Sequence, residues 1–158
     1  MSTNPLDTQI AGSHYKDFPI QPIEFTHKNG MGFIAGCIIK RAVRFKAKTG
    51  AGITDVDKII HEIEILMHFW KQGLTPKRVD TTIDGLTVPV YEFLEKNKIH
   101  KAFPLSVASI IFYVSVYDLK DGSGLSDLAL ALKHAHELRL ILAHQQVHEL
   151  EQTLTTLS

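Results

Sequence analysis

The 158-residue chain contains one cysteine, Cys37, so an internal disulfide and a zinc site built on cysteines are both excluded. A reducing compartment fits that usage. Net charge is also missing: 17 basic residues balance 17 acidic ones. Bulk attraction to nucleic acid or to an anionic membrane therefore has no basis, and any anion site must be local. No long hydrophobic run is present. The most apolar stretch, Val107 to Val116, is too short to span a bilayer. The opening residues MSTNPLDTQIAGSHYKD have neither a basic start nor an apolar core, so a signal peptide is not expected and a cytoplasmic location is. Phosphate-loop and nucleophile motifs are absent as well: there is no GxxxxGK[ST], no strand-linked GxGxxG and no GxSxG.

What the chain does have is a hydrophobic content of 44%, enough for one real core. Residues 1–12 read as a flexible lead-in and 13–158 as one domain. Within it, FIAGCIIKRAVRFKAK (Phe33 to Lys48) reads as one amphipathic helix closed by Thr49-Gly50. Ile34, Ile38, Ala42 and Phe45 line one side. Lys40, Arg44 and Lys48 recur every fourth residue on the other, with Arg41 beside them. Like charges at that spacing repel, which makes the stripe a candidate anion site; the alternative is a solvated basic face.

The chain also aligns with itself. At an offset of 72 residues, FKAKTGAGITDV from Phe45 lies over YDLKDGSGLSDL from Tyr117. Gly50 meets Gly122, Gly52 meets Gly124, and Asp55 meets Asp127. Glu24-Phe25 meets Glu92-Phe93 once four residues are inserted. Two copies are expected, 13–75 and 88–145, each a pair of helices joined by a Gly-x-Gly turn, together making an all-α bundle of tandem hairpins. Thr54 and Ser126 are expected helix N-caps, Pro104 suits a first helical turn, and Gly50 and Gly122 are expected to end the preceding helices. Val56, Ile60, Ile63, Met67 and Trp70 form the expected buried face of the helix after Gly52. Between the copies, VDTTI and LTVPV flank Asp84-Gly85, a signal for a short β-ribbon.

The copies diverge in charge. Lys40 aligns with Phe112, Arg41 with Tyr113, Arg44 with Val116, Lys46 with Asp118 and Lys58 with Leu130; only Lys48 persists, as Lys120. Any site should then belong to the first copy. After the second, Leu140, Ala143, Val147, Leu150, Leu154 and Leu157 alternate steps of three and four, a heptad seam that could pair helices between subunits of a homo-oligomer or lie along the chain's own core.

The ordered pieces His14-Tyr15-Lys16, IQPIEF from Ile20, Gly36-x-Ile38-Ile39-Lys40, the basic run through Lys48-Thr49-Gly50, and Asp55-x-x-Lys58 together resemble the SaV-like family of phage proteins, over residues 13 to 69. The chain departs from that pattern at Cys37, where the family carries asparagine. The family includes a nucleotide kinase without a phosphate loop, so the resemblance implies a phage protein of the host cytoplasm that binds nucleotides and phosphorylates a nucleoside monophosphate. His14, Lys40 and Arg44 would be the catalytic residues. Tyr15, Lys16, Lys40, Arg41, Arg44, Lys48, Asp55 and Lys58 would hold the nucleotide. Lys40, Arg44 and Lys48 would clamp phosphates, and Tyr15 would stack on a base. Asp55 and Lys58 would set the far rim, as polar ligands or as an ion pair. Two non-enzymatic readings stand beside it: a sponge sequestering nucleotide immune signals, or an interaction module acting on a host defence system.

Metal chemistry finds weak support. Asp55, Asp57, Glu62 and Glu64 lack the ExxE pairing of multi-metal hydrolases, and only a single magnesium bridged by nucleotide phosphates is compatible with the pattern. His144 and His148 share a helix face without an evident third ligand. No metal site or resident cofactor is expected.

Overall fold

The computed structural model describes residues 4–8, 10, 15–46, 52–75 and 77–158. Its helices are α1 (Pro22–Lys28), α2 (Phe33–Ala42), α3 (Ile53–Lys71), α4 (Val90–Lys96), α5 (Ile99–Ala102), α6 (Leu105–Val116) and α7 (Leu125–Leu157), with two 3-10 turns at Pro5–Asp7 and Ile83–Gly85. No strand occurs among the described residues. The fold is an all-α bundle of two helical hairpins, α2–α3 and α6–α7, which pack face to face.

The two hairpins carry the same features in the same order. Pro22 and Val90 open the short helices; Glu24–Lys28 and Glu92–Lys96 form i,i+4 ion pairs of 2.8 Å in each. Phe25 and Phe93 are both fully buried and stack on each other, with ring centroids 4.2 Å apart. The residues after the short helices exchange partners across the molecule. Asn29 donates to the Val88 carbonyl at 2.8 Å and accepts from the Val88 N–H at 2.9 Å. Asn97 donates to the Ile20 carbonyl at 2.7 Å and accepts from the Ile20 N–H at 3.1 Å. Gly30 and Lys98 then both take positive φ, 62° and 55°. Up to this point the matched positions differ by 68 residues; from Gly32 and Pro104, the N-caps of α2 and α6, they differ by 72. The four residues of α5 occupy the gap.

The core is the meeting of α2, α3, α6 and α7. Helix α6 is buried on nearly every side, from Ser106 to Val116, because it contacts both α7 and α2. Helix α3 buries Val56, Ile59, Ile63 and Leu66. The expected face is therefore rotated: Ile60, Met67 and Trp70 flank the core rather than fill it, since α3 packs against α2 and α7 at once.

Several local expectations change. The helix from Phe33 stops at Ala42 rather than Lys48. Val43 turns to φ −97°, ψ −2°, the Arg44 and Phe45 N–H groups both bond back to the Arg41 carbonyl, and Phe45 swings into the core against Phe103. Neither Thr54 nor Ser126 is an N-cap: Gly52 and Gly124 hold that position. In α7 the carboxylate of Asp127, three residues into the helix, reaches back and accepts from the Ser123 N–H at 2.7 Å. Gly122 does not end α6, which stops at Val116; Gly50 lies outside the described residues.

The β-ribbon is absent. Thr82 Oγ1 accepts from the Gly85 N–H, closing a 3-10 turn that keeps Gly85 out of the left-handed conformation a two-residue hairpin needs. Flanking backbone goes elsewhere: Val88 pairs with Asn29, and Arg78 forms one isolated bridge to Leu119. The lead-in also has structure. Asn4 caps the Pro5–Asp7 turn and the Gln21 amide donates to the Leu6 carbonyl, while residues 1–3, 9, 11 and 12 lie outside the described set.

Candidate functional site

The premature end of α2 decides what happens to its cations. Lys40 remains on the helix and exposed. Arg44, one residue into the turn, points at α3 instead of continuing the stripe. There its Nη2 donates to Asp55 Oδ1 at 3.0 Å. Arg41 Nη1 lies 3.6 Å from the same oxygen, and Arg41 Nε donates to Glu62 at 3.0 and 3.3 Å to its two oxygens. Asp55 is fully buried, so the two guanidiniums supply the compensation that a desolvated carboxylate requires. The Asp55 hydrogen bond is the main reason the Arg44 pKa stands above its ordinary value.

Asp55, Lys58 and Glu62 fall on one stripe of α3, three and four residues apart. The two acids face Arg41 and Arg44, and Lys58 between them is exposed. Tyr15 closes the near side. Its hydroxyl lies 3.5 Å from the Lys40 carbonyl oxygen, and Lys40 Nζ sits 6.0 Å from the ring centroid. Burial pushes the Tyr15 hydroxyl pKa up, against the opposing pull of Arg44. Lys16 is exposed beside it. The face thus gathers Tyr15, Lys40, Arg41, Arg44, Asp55 and Lys58 from the expected set. His14 and Lys48 lie outside the described residues.

Chemically, this is a partly neutralised cationic face. Two arginines are held rigid by two carboxylates, and two lysines, Lys40 and Lys58, have no acidic partner among the described residues. Arg44 Nε is buried without a hydrogen-bond acceptor, leaving an oriented donor beside the Asp55 pair. Cys37 is half-buried in α2. No group of three or more His, Cys, Asp or Glu side chains converges among the described residues. His144 and His148 sit on the exposed end of α7, where His148 bonds Gln152 at 3.1 Å.

One residue that sequence reasoning passed over is the most connected cation among the described residues. Arg78 donates to Asp118, to the Asn29 carbonyl at 2.8 Å and to the Ser115 carbonyl at 2.6 Å, tying the linker to both hairpins. The exchange of Lys46 for Asp118 between the copies was the available signal. Two grooves open on this linker side: one of about 360 Å³ lined by Lys28, Lys77, Arg78 and Leu86, and one of about 500 Å³ by Trp70, Lys77, Lys120 and Gly124. Neither touches the Lys40 face, and Arg78 spends its donors on protein acceptors.

No protein-family model, curated protein or solved structure matches the chain. No helix among the described residues is long and apolar enough to cross a membrane.

Proposed function

We propose that the protein binds a nucleotide through the face formed by Tyr15, Lys40, Arg41, Arg44 and Lys58, with phosphates on the cations and the base against Tyr15. One observation carries this reading. The matched hairpin α6–α7 keeps the turn, the helix-start aspartate and the core while placing Phe112, Tyr113, Val116 and Leu130 at the cationic positions. A hairpin of this kind can therefore be built without cations at these positions, and Lys40 and Lys58 have no acidic partner among the described residues. Arg41 and Arg44, immobilised by Asp55 and Glu62, are pre-organised donors of the kind that lowers the entropic cost of gripping phosphate.

The resemblance to the SaV-like family extends the reading to phosphoryl transfer onto a nucleoside monophosphate, in which it assigns roles to His14 and Lys48, and the chemistry would consist mainly of positioning and charge neutralisation. A magnesium ion would enter with the nucleotide's phosphates. Sequestration of a nucleotide signal is the second reading, favoured by the commitment of both arginines to acidic partners. In either case Lys40→Ala and Lys58→Ala each weaken nucleotide affinity by about tenfold to a hundredfold, the size of a charge-assisted contact. Lys120→Ala leaves it unchanged. Calorimetric titration with nucleoside mono- and triphosphates reads this, and no heat with any nucleotide ends the proposal. Chromatography of nucleotides recovered after denaturing the complex separates the two readings: converted nucleotide marks a kinase, unchanged nucleotide a sponge.

A further inference from the structure

Helix α7 is 33 residues long, and its last buried residue is Leu142. Its partner α3 runs antiparallel to it, with Trp70 against Gly124 at one end and Asp57 bonded to Arg139 at 2.6 Å near the other. Past that point α7 leaves the body. From His144 to Leu157, about 21 Å of helix, every residue is exposed. This stretch is a weak helix by composition. Val147, Thr153, Thr155 and Thr156 are β-branched, and the three threonine hydroxyls bond back to carbonyls four residues earlier. Short helices of this kind depend on packing for their stability.

All its apolar side chains nevertheless lie on one seam. From Ala143 onward these are Ala143, Val147, Leu150, Leu154 and Leu157, in line with Leu140, and every other residue is polar. Leu140, Val147, Leu150, Leu154 and Leu157 are 54–79% exposed. We infer that this overhang pairs antiparallel with the same segment of a second copy of the chain.

The register follows from the seam. Placing Leu140 on the partner's Leu157, Ala143 on the partner's Leu154 and Val147 on the partner's Leu150 gives six layers about a two-fold axis between His148 and Glu149. Each small Ala143 then meets a large leucine, whereas a parallel pair would set Ala143 on the partner's Ala143 and leave a gap. The flanking residues agree. His144 and Glu151 occupy equivalent flanking positions one heptad apart. The antiparallel register brings His144 beside the partner's Glu151, twice, as donor and acceptor; a parallel pair offers Glu151 only the partner's Gln146. The inference is independent of the nucleotide reading.

Light scattering over a concentration series should show a monomer–dimer equilibrium in the full chain. Leu150→Asp should shift it to monomer with the circular dichroism of the body retained, and deletion of residues 144–158 should do the same. Orientation is read by cross-linking in a Cys37→Ser background. Leu157→Cys alone should form no disulfide, because the two positions lie about 25 Å apart in the antiparallel register. An equimolar mixture of Leu157→Cys and Leu140→Cys chains should form the mixed disulfide. A monomer throughout, a dimer that survives the deletion, or rapid self-linking of Leu157→Cys would each overturn the inference.

Discussion

The N-caps of α3 and α7 share a backbone conformation, and the buried aspartates that follow them differ in the side chains they meet. Gly52 and Gly124 hold φ of 56° and 55° with ψ of −124° and −120°. Each glycine N–H donates to the carbonyl of the aromatic residue seven positions earlier, Phe45 at 3.2 Å and Tyr117 at 3.1 Å. Three residues on, each helix carries a buried aspartate. In the second hairpin Asp127 bonds the backbone of its own turn. In the first, Asp55 faces Arg41 and Arg44 from the neighbouring helix and turn. The buried carboxylate thus meets two arginines in one hairpin, where the other has Tyr113 and Val116 at the matched positions. The difference separates what the architecture demands from what has been added to it.

Three pairs of substitutions sharpen that separation. The largest effect is expected where the hairpins are alike and meet: Phe25→Ala and Phe93→Ala should each lose about 3–5 kcal/mol in urea unfolding, and by similar amounts, since both rings are fully buried and stack on each other. Losses that differ by more than about 1.5 kcal/mol, a margin near the spread such substitutions show, would mean that the two cores are not equivalent.

Next come the matched glycines. Gly52→Ala meets no atom of the described residues within 4 Å and should cost mainly backbone strain, about 1–3 kcal/mol. Gly124→Ala would drive a methyl into the Trp70 ring and should cost a further 1–3 kcal/mol, roughly, in overpacking. Thermal unfolding of the two variants ranks them. The comparison fails if Gly52→Ala is the worse.

The smallest effects lie at the basic face, at Arg44 and Lys40. Removing Arg44 leaves Asp55 buried with Arg41 still 3.6 Å away, so Arg44→Ala should lose about 2 kcal/mol, less than the complete loss of a buried pair. Lys40→Ala, on the exposed side of the same helix, should leave the unfolding midpoint where it was. A destabilised Lys40→Ala would show that the lysine belongs to the structure and not to a ligand.

Much of the architecture was legible because repetition is a strong signal: the glycines Gly52 and Gly124, the paired Glu-Phe and the four-residue gap all reappear in space. The clustering of Tyr15, Lys40, Arg41, Arg44, Asp55 and Lys58 was legible, and its geometry was misread. A four-residue spacing implies a stripe only while the helix continues, and α2 ends where burying Phe45 outweighs one more helical turn. Arg44 therefore belongs to Asp55, a pairing invisible to a reading along one helix. The ribbon failed for a related reason: Thr82 offers the Gly85 N–H a nearer acceptor than a facing strand could. Asn29 and Asn97 escaped notice although Lys-Asn recurs after each short helix, because their partners lie 59 and 77 residues away.

Those asparagines also bear on whether the chain is divisible. Each amide closes on backbone that the opposite half supplies, Val88 for Asn29 and Ile20 for Asn97, and the stacked phenylalanines do likewise. A gene cut in the linker would yield two fragments with matching unfilled valences, able to complement one another in trans, and the first hairpin expressed alone could find in another molecule of itself the Ile20 backbone that its own Asn29 cannot reach. The bundle is in that sense a dimer written on a single strand.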